Sequence, residues 1–442
     1  MTGYVCIAQQ LTGVVKDGLN NESIPGAKIE LKELGVATFT DVNGRFKLEG
    51  NWPDEFMLQV SAMTYESKTI ALSCCDSINL TLSPDPHDMD EVMVRVELRE
   101  LQGSMTQKTD YMKLDKLDVI TPLSISSALT QIDGVQMASY GPLNSKPVIR
   151  GMQGMRVVTF LNGMRINNQQ WGGDHGLGIS QVGMESAEVI KGPMSLIYTG
   201  DATGGLLYIK DGSFAPQNAY SIQMNTQFES VNKGSQNSLV YKVSGKKFRM
   251  SAAGIFSSYA DYAYPDGGYL SDSRMQDYGG KFKLGYNSGK WNIELNYLYS
   301  NSRVGIPGHT HDSLATPTSF LVEDQDRGFS LPHQKIQNHF ANIKASYFMN
   351  SKNKMEFYLN HGYNNLKEFE EKIFTPGIDM YLNASSFQVR HHWNPNKNLQ
   401  VLSGIQASAQ SNNNGIKAEE RLIDDSDQYD VGLYSSLSYD FG

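Results

Sequence analysis

The fold is decided by the stretch PVIRGMQGMRVVTFLNGMRINNQQWGGDHG at residues 147–176, which is followed by ESAEVIKGPMSLIYTGDATGGLLYIK at residues 185–210. Short apolar strands are predicted at residues 156–161 and 188–190. The turn sequences around them are Asn162-Gly163, Lys191-Gly192-Pro193 and Gly204-Gly205. Because Gly and Pro interrupt regular structure, the backbone must reverse repeatedly within a small space. The stretch therefore predicts a compact domain of several short strands.

Composition limits the classes of function. The 442 residues carry a net charge of -9 without a basic block, which argues against a nucleic-acid partner. No run of about 20 apolar residues exists, so a helical membrane span is excluded, whereas a β-barrel is not, because its strands alternate apolar and polar positions. Cys6, Cys74 and Cys75 have neither zinc-ligand spacing nor the pattern of a disulfide framework.

The amino-terminal region predicts a small separate domain. Residues 1–10 are interpreted as the remnant of a signal peptide, with a short disordered leader as the alternative. Residues 11–83 predict a small β-sandwich, because short apolar strands recur at regular spacing between turn residues. The predicted strands are 11–15, 27–31, 45–48, 56–60 and 78–82.

Residues 84–109 are polar and contain Pro84 and Pro86, which predicts a linker. Within it lies MDEVMVRV at residues 89–96, a β-prone segment flanked by charge. One interpretation is an ordinary edge strand. The other is an extended segment that offers its backbone groups to a partner strand, as in β-augmentation.

From residue 216 onward, apolar and polar residues alternate with a period of two. Ile222, Met224 and Phe228 interleave with polar residues, and so do the apolar residues of the segment 291–299. Such alternation places one face in an apolar medium and the other against water or polar groups. The segments 290–304 and 333–349 exceed the usual length of soluble strands. Aromatic residues toward the strand ends suit an interfacial girdle: Tyr259, Tyr262, Tyr264, Trp393 and Tyr439.

The connections between these strands alternate in length, as in outer-membrane barrels. Long outer loops are predicted at residues 261–272, 305–332 and 412–427. The parity gives roughly ten strands, whereas plugged transporters have about 22. The predicted fold class is mainly β: a small β-sandwich, a compact α+β domain around the deciding stretch and an incomplete antiparallel transmembrane β-barrel, with the sequence expected to be a fragment.

Several of these motifs resemble a known family. PVIRGMQGMRVV, LNGMRIN and EVIKGP…YTGDATGGLLYI resemble the plug domain of TonB-dependent outer-membrane receptors. TGVVKDG…SIPGAKIEL…GVATFTDVNGRFKL resembles the carboxypeptidase regulatory-like domain that precedes the plug in receptors of Bacteroidetes type. The resemblance implies a carboxypeptidase regulatory-like domain at 11–83, a linker with a TonB box at 84–109, a plug at 110–215 and the first part of the barrel at 216–442.

The resemblance also implies a location and partners. The protein is expected in the cell outer membrane, in contact with outer-membrane lipid, where it would actively import a scarce nutrient. The expected partner is TonB in the periplasm, which would pull on the TonB box residues Asp90, Glu91, Val92, Met93 and Val94.

Two loops hold candidate metal ligands. WGGDHG at residues 171–176 presents Asp174 and His175, and GIPGHTHD at residues 305–312 presents His309, His311 and Asp312. Imidazole and carboxylate groups together suit zinc, copper or nickel. Solvated loop histidines, or a hydrogen bond from the Asp174-His175 pair to the barrel wall, are the alternatives. The presence of both motifs, and their similarity to zinc-type receptors, favours a metal ion or metallophore cargo. No catalytic residue or bound cofactor is expected.

Other functions stay open or are disfavoured. A siderophore or haem receptor remains an alternative, whereas IKGPMSLIYTGDATGG at residues 190–205 disfavours a glycan importer. An enzyme is disfavoured because the motifs of metalloproteases, α/β-hydrolases and phosphate loops are missing from the sequence. A passive porin or adhesin needs no plug. Arg150 and Lys191 are expected to pair with carboxylates, for which Glu188 and Asp201 are suitable partners.

Overall fold

The structure is a computed structural model. It describes residues 9–18, 23–24, 26–31, 36–41, 43–50, 53, 55–62, 65, 67–73, 77–83, 110–114, 124–139, 145–168, 176, 178–180, 183–192, 195, 198–199, 201–308, 316–350, 352–396 and 399–439. The chain divides into two compact units. The first contains Met1–Thr106 with the short segments Ser288–Asn292 and Tyr347–Lys354, and the second contains the rest.

The amino-terminal part of the chain forms two sheets around one core. Its strands are β1 (Gln9–Asp17), β2 (Lys28–Leu31), β3 (Val36–Phe39), β4 (Arg45–Gly50), β5 (Glu55–Ser61), β6 (Lys68–Ser73) and β7 (Ser77–Leu82). The sheets have the orders β4-β1-β7 and β3-β2-β5-β6, and apolar residues of both, such as Leu48 and Leu58, share a core. The predicted sandwich and its five strands are confirmed. The strands β3 and β6 were missed, because their described side chains are exposed or only partly buried, which gives a weak pattern.

The stretch that decides the fold forms the centre of a second domain. The elements of this domain are β8 (Asp110–Lys113), α1 (Ile125–Leu129), β9 (Val135–Ser139), β10 (Ser145–Ile149), a 3-10 turn (Gly154–Arg156), β11 (Val157–Leu161), β12 (Met164–Ile166), β13 (Met184–Ile190) and β14 (Gly205–Asp211). The main sheet has the order β12-β11-β14-β13-β8, and β9 pairs with β10. Among the elements that the structure describes, no helix is long and apolar enough to cross a membrane.

The predicted turn at Asn162-Gly163 joins β11 to β12. Both residues have positive φ, 50° and 86°, which is the two-residue geometry that matches the twist of paired strands. A side chain at Gly163 would also meet the Tyr358 ring at 3.2 Å. Glycine is therefore required here both by the backbone conformation and by the close approach of the Tyr358 ring.

The third part of the chain is a long antiparallel sheet. The strands of this region are β15 (Tyr220–Glu229), β16 (Gly234–Ser244), β17 (Phe248–Tyr259), β18 (Tyr262–Ala263), β19 (Tyr269–Leu270), β20 (Met275–Asn287), β21 (Trp291–Gly305), β22 (Leu321–Val322), β23 (His333–Asn350), β24 (Asn353–Phe369), β25 (Ile378–Asn396), β26 (Leu399–Asn414) and β27 (Ser426–Tyr439). Ten of them form one open sheet in the order β15-β16-β17-β20-β21-β23-β24-β25-β26-β27, which is the predicted number. The short strands β18, β19 and β22 form a separate sheet, and a 3-10 turn covers Pro317–Phe320.

The long sheet has the reverse of the usual polarity. Outward side chains are apolar and exposed, with 65% exposure for Ile222, 78% for Phe228 and 80% for Leu433. Inward side chains are polar and buried, with 8% exposure for Glu294 and 7% for Asn296. Soluble sheets bury the apolar face. An exposed apolar face and a buried polar face are typical of a wall that stands in lipid and surrounds polar contents, so the predicted alternation is confirmed.

The buried polar face is paired by hydrogen bonds that run across neighbouring strands. The Asn296 amide donates to the Asn342 oxygen at 3.0 Å, and Asn342 donates to Asn360. Asn360 then donates to the Ser386 hydroxyl at 2.9 Å. This row joins four strands and satisfies groups that would otherwise be costly to bury.

An aromatic row marks one edge of the outward apolar surface. Tyr278, Tyr299, His339, Tyr363 and Tyr381 lie on five neighbouring strands, and consecutive ring centroids are 5.0 to 6.5 Å apart. We call this row the outer belt. It lies toward the loop end of the sheet, where the long connections are found, and the opposite end with its short connections is the turn end. Such belts mark the boundary between hydrocarbon and headgroups.

The width of the apolar surface fits an outer membrane. On β27 the outward residues run from Tyr429 to Tyr439 through Val431, Leu433 and Leu437, all of them exposed. At about 3.3 Å per residue and a tilt of about 40°, this stretch spans roughly 25 Å, the height of the apolar band in barrels of this kind.

Two sequence predictions about the strand ends are wrong. Tyr259, expected in the girdle, is only 1% exposed and donates to the Gln236 side chain at 3.2 Å. It is an inward residue, because the outward positions of β17 are even-numbered, as exposed Phe256 shows. The outer loop expected from residue 412 begins later, because β26 extends to Asn414.

The depth of the apolar surface gives a test. Leu359 lies outward on β24, four positions from the outer belt residue Tyr363 toward the turn end. We expect Leu359→Arg to lower the free energy of unfolding by about 2–4 kcal/mol, because it places a charge near the bilayer midplane. Gln337→Arg, close to the outer belt, should cost about 0–1 kcal/mol. Urea titrations in phospholipid vesicles measure both, and equal costs would contradict the assigned depth.

Candidate functional site

The predicted site residues lie outside the part of the chain that the structure describes. This holds for Asp174, His175, His309, His311 and Asp312, and equally for the segment 90–94. Within the described ranges, no three His, Cys, Asp or Glu side chains are grouped so that they could hold a metal ion. Five more histidines, at positions 333, 339, 361, 391 and 392, lie on β23, β24 and β25, as the sequence predicted. The metal assignment therefore stays a prediction. The structure does describe the residues that flank the two candidate loops, and these show where each loop is attached.

The first candidate loop is attached to the wall directly after its predicted ligands. The Gly178 carbonyl accepts a hydrogen bond of 2.6 Å from the Asn338 amide on β23. A side chain at Gly178, which has a φ of 64°, would also meet Ile336 at 3.4 Å. Two residues further on, the Ser180 hydroxyl donates to buried Asp277 on β20 at 3.2 Å. The chain after His175 is thus fixed against the inner wall near the loop end.

The second candidate loop has its two ends held together. The Ile306 N–H donates to the Pro332 carbonyl at 3.3 Å, and β23 begins at the next residue. Buried Arg274 holds the base of the neighbouring loops, because its guanidinium bonds to Asp261 at 2.9 Å and to Asp326 at 2.7 Å. Burial raises the pKa of Asp261, and the Arg274 charge opposes that effect.

Both candidate loops therefore leave the wall near the loop end of β23. His309 is three residues from Ile306, and His175 is three residues from Gly178, so each reaches about 10 Å from its fixed flank. Ile306 is bonded to Pro332, which lies six residues before Asn338, the residue that bonds to Gly178. The described flanks of both loops, Gly178 and Ile306, are therefore attached around the same end of β23.

The amino-terminal strand of the second domain is an edge strand. Only β13 pairs with β8 among the described strands, through four residue pairs. The Lys191 ammonium, nearly buried, bonds to the Asp110 carboxylate at 2.7 Å and to the Asp133 carbonyl at 2.5 Å. Lys191 therefore ties the first residue of β8 to the core of the domain.

The carboxyl-terminal end of the domain is tied to the wall. Asp211, the last residue of β14, pairs with Lys281 on β20, and both side chains are almost fully buried. The Phe214 ring centroid lies 4.4 Å from the Lys283 ammonium and 4.7 Å from the Arg249 guanidinium. Cations over an aromatic face attract its quadrupole. This end is held by buried charge as well as by packing.

A cavity of about 170 Å³ lies beside this anchor, between the domain and the first strands of the wall. Its lining mixes polar side chains such as Gln227, Lys242 and Lys281 with apolar ones such as Val240 and Ile255. The lining residues lie on β15, β16, β17 and β20 and on the second domain. The polar groups of such a cavity can hydrogen-bond to water.

Lys191 pairs with a carboxylate, as expected, but not with the suggested partners Glu188 and Asp201. Lys191 pairs with Asp110, Glu188 pairs with Lys210 at 3.1 Å, and Asp201 pairs with Arg165 at 2.5 Å. The reason is strand register, because Lys210 lies diagonally across from Glu188 on β14. Partial burial opposes ionisation of Asp201, but hydrogen bonds from Arg165 and Thr199 outweigh it and lower the pKa of that carboxyl.

Sequence reasoning also missed the residues that anchor the domain to the wall. Asp211, Phe214 and Lys281 are far apart in sequence and belong to no motif. The only signal in the sequence was Lys281, which lies on the inward face of a predicted strand. A buried lysine requires a carboxylate partner.

Comparisons with known proteins agree with this architecture. Residues 11–94 match the family model of the CarboxypepD_reg-like domain, and residues 101–206 match the TonB-dependent Receptor Plug Domain. The chain is 22% identical over 333 residues to the vitamin B12 transporter BtuB of Photobacterium profundum, covering 74% of this chain and 51% of the relative. It is 30% identical over 98 residues to BtuB of Vibrio vulnificus, covering 22% of this chain and 16% of the relative.

Solved receptors share the fold. A mutant of the ferric enterobactin receptor PfeA from Pseudomonas aeruginosa has a TM-score of 0.58 at 11% identity, over 78% of this chain and 56% of that chain. The unliganded ferric citrate transporter FecA has a TM-score of 0.57 at 12% identity, over 76% and 57%. The chain spans about half the length of these relatives. The predicted fold class is confirmed, and the relatives are transporters and receptors, which confirms the expectation that the chain is not an enzyme.

The buried anchor gives a second test. We expect Asp211→Asn to destabilise the protein by about 3–5 kcal/mol, because it leaves the Lys281 charge buried without its counter-ion. The matched control Asp201→Asn breaks a half-exposed pair and should cost about 0–1 kcal/mol. The double variant Asp211→Leu with Lys281→Met should recover most of the loss. Urea unfolding measures all three, and an Asp211→Asn cost no larger than the control would show that the anchor contributes little.

Proposed function

Because this chain belongs to the TonB-dependent receptors of the cell outer membrane, we propose that it takes part in the active import of a scarce nutrient across that membrane. The proposed cargo is a transition metal ion or a metal complex. The proposed partner is TonB in the periplasm, which would pull on Asp90, Glu91, Val92, Met93 and Val94. Receptors of Bacteroidetes type remain the proposed subgroup.

The observation that carries the transport proposal is the unequal attachment of the plug. Its amino-terminal strand, β8, is short, lies at a sheet edge and is reached directly from the linker that contains the TonB box. Its carboxyl end is fixed by the buried pair of Asp211 with Lys281. A pull on the linker would therefore load β8 and its Lys191 contact first, while the other end stays attached to the wall.

The linker is long enough for such a pull. Fifteen residues lie between Val94 and Asp110, and the sixteen steps along the chain reach roughly 55 Å when extended. Peeling an edge strand breaks its four residue pairs in turn rather than together. The plug would then open from its amino-terminal side and expose the cavity along β15, β16 and β17.

The cargo proposal depends on the chemistry of the two candidate loops. Asp174, His175, His309, His311 and Asp312 combine the imidazole and carboxylate groups that transition metals prefer. Their flanks at Gly178 and Ile306 are attached around the same strand end, which supports a shared site. A siderophore or haem cargo is the alternative, and two similar solved proteins are named for ferric complexes. A glycan importer and a passive porin or adhesin are less well supported.

Deletion of residues 89–94 tests energised import. We expect cells that produce this variant in the full-length receptor to lose at least about tenfold in zinc uptake, because the strand offered to the partner is gone. Deletion of residues 103–108 shortens the same linker equally and should leave uptake nearly unchanged. Uptake of radioactive zinc, with surface binding measured separately, gives the readout. Equal uptake by both variants would indicate a passive channel.

Replacement of two histidines tests the cargo. We expect the combined change His309→Ala and His311→Ala to weaken zinc binding to the full-length receptor by at least about tenfold, because two imidazole ligands are lost. The control His391→Ala removes a histidine on β25 instead and should leave affinity within about twofold. Calorimetric titration with zinc measures both. Unchanged affinity would rule out this metal site while leaving the transport mechanism open to a different cargo.

A further inference from the structure

Three cations lie in a single outward row beyond the outer belt. Arg303 on β21, Lys335 on β23 and Lys367 on β24 are each four positions from the belt residue of the same strand, toward the loop end. The belt residues of these strands are Tyr299, His339 and Tyr363. Because side chains alternate with a period of two, a separation of four positions keeps all three cations on the outward face.

The row lies at the depth of lipid headgroups. Four residues cover about 13 Å along a strand, or roughly 10 Å along the membrane normal at a tilt of about 40°. The outer belt marks the edge of the hydrocarbon. The row is therefore beyond the acyl chains but within the layer where headgroup phosphates lie.

Aromatic rings lie beside Arg303. The Arg303 guanidinium lies 4.9 Å from the Phe329 ring centroid. The His333 ring stacks on Phe369 at 4.9 Å and lies 6.0 Å from Phe329, which forms an aromatic shelf on the loop-end side of the cations. The shelf limits the directions that the guanidinium can take, so less conformational freedom would be lost when an anion binds.

Nearby carboxylates leave the row positively charged. Asp379 is 3.2 Å from the Lys367 ammonium, but this nearly buried carboxylate also accepts hydrogen bonds from Asn365 and Tyr381. Asp272 is engaged by Arg274 and by the Ser330 hydroxyl. At most one of the three cations is therefore neutralised by a carboxylate in the described part of this region.

The outward surface nearer the turn end carries the complementary apolar half of a lipid site. On the same strands, the exposed outward residues there are Leu295, Ile343 and Leu359. A ligand that fits has two acidic groups at one end and hydrocarbon at the other. A soluble anion fits this surface less well than a lipid, because it would bind the cations but leave the adjacent apolar surface without a ligand.

We infer that Arg303, Lys335 and Lys367 form a binding site for the phosphate groups of an outer-leaflet lipid whose acyl chains lie along Leu295, Ile343 and Leu359. Arginine can bind phosphate through two parallel hydrogen bonds, and the lysines add point charges on either side. The site is on the outside of the wall and does not depend on the proposed cargo or on TonB. It would fix the orientation of the wall in the membrane next to the long loops.

Lipid binding by the full-length receptor in micelles tests the inference. The test variant combines Arg303→Gln, Lys335→Gln and Lys367→Gln. The matched control combines Lys246→Gln, Lys247→Gln and Lys290→Gln, which removes three exposed lysines at the turn end. The probe is diphosphoryl lipid A, used next to the same lipid after removal of its phosphates and next to inorganic phosphate. Native mass spectrometry and a fluorescence titration report the bound lipid.

We expect the test variant to bind diphosphoryl lipid A at least about tenfold more weakly than the unmodified protein, and the control to stay within about twofold. The dephosphorylated lipid should bind both proteins equally weakly. Equal binding of diphosphoryl lipid A by the test variant and the unmodified protein would overturn the inference. So would displacement of the lipid by millimolar inorganic phosphate, which would indicate an anion site without a lipid. Lys335→Gln alone, at an exposed side chain, should weaken binding about threefold and keeps the test decisive if the triple variant does not refold.

Discussion

The structure depends on one constraint, which is that the long sheet must be apolar outside and polar inside at the same time. The outside faces hydrocarbon, so its exposed residues are Ile, Leu, Val and Phe, and aromatic rings mark the edge of that surface. The inside is buried against the plug, so every polar group there needs a partner from a neighbouring strand or from the plug. The row from Asn296 through Asn342 and Asn360 to Ser386 is the direct result. The plug provides hydrogen-bond partners for inner-wall groups that neighbouring strands do not satisfy. One example is the Gly178 carbonyl, which accepts a hydrogen bond from the Asn338 amide.

The same constraint explains why the plug is attached unequally. A lysine on the inner wall is stable only with a nearby carboxylate, and Asp211 provides it at the end of β14. This fixes the carboxyl end of the plug to β20 from within. The amino-terminal strand β8 has no such wall contact among its described partners and is held by β13 and by Lys191 of the plug itself. The plug is therefore strongly attached where its chain continues into the wall and weakly attached where its chain arrives from the linker.

The sequence predicted those features that depend on local periodicity and turn chemistry. The alternation around Ile222 and the Asn162-Gly163 turn were both predictable, because each depends on residues close together in the chain. Features that depend on register were not predictable. Tyr259 is of a residue type common in girdles, but its position on β17 faces inward. Glu188 pairs with Lys210 because the register of β13 and β14 places the two side chains diagonally across from each other. The candidate metal ligands were recognised as a motif, and only the attachment of their flanks could be added from the structure.

The choice of amides for much of the inner wall has a consequence for movement of the plug. An amide both donates and accepts, so when the plug shifts, groups such as Asn338 can exchange a plug carbonyl for water at little net change in free energy. An apolar contact cannot be replaced in this way. Resistance to movement must therefore come chiefly from the buried Asp211 and Lys281 pair and from the shared cluster in which Ile255, Leu298 and Phe340 of the wall pack against the plug core. Because those contacts are few, a pull that reaches them after β8 has opened would meet resistance at a small number of defined sites.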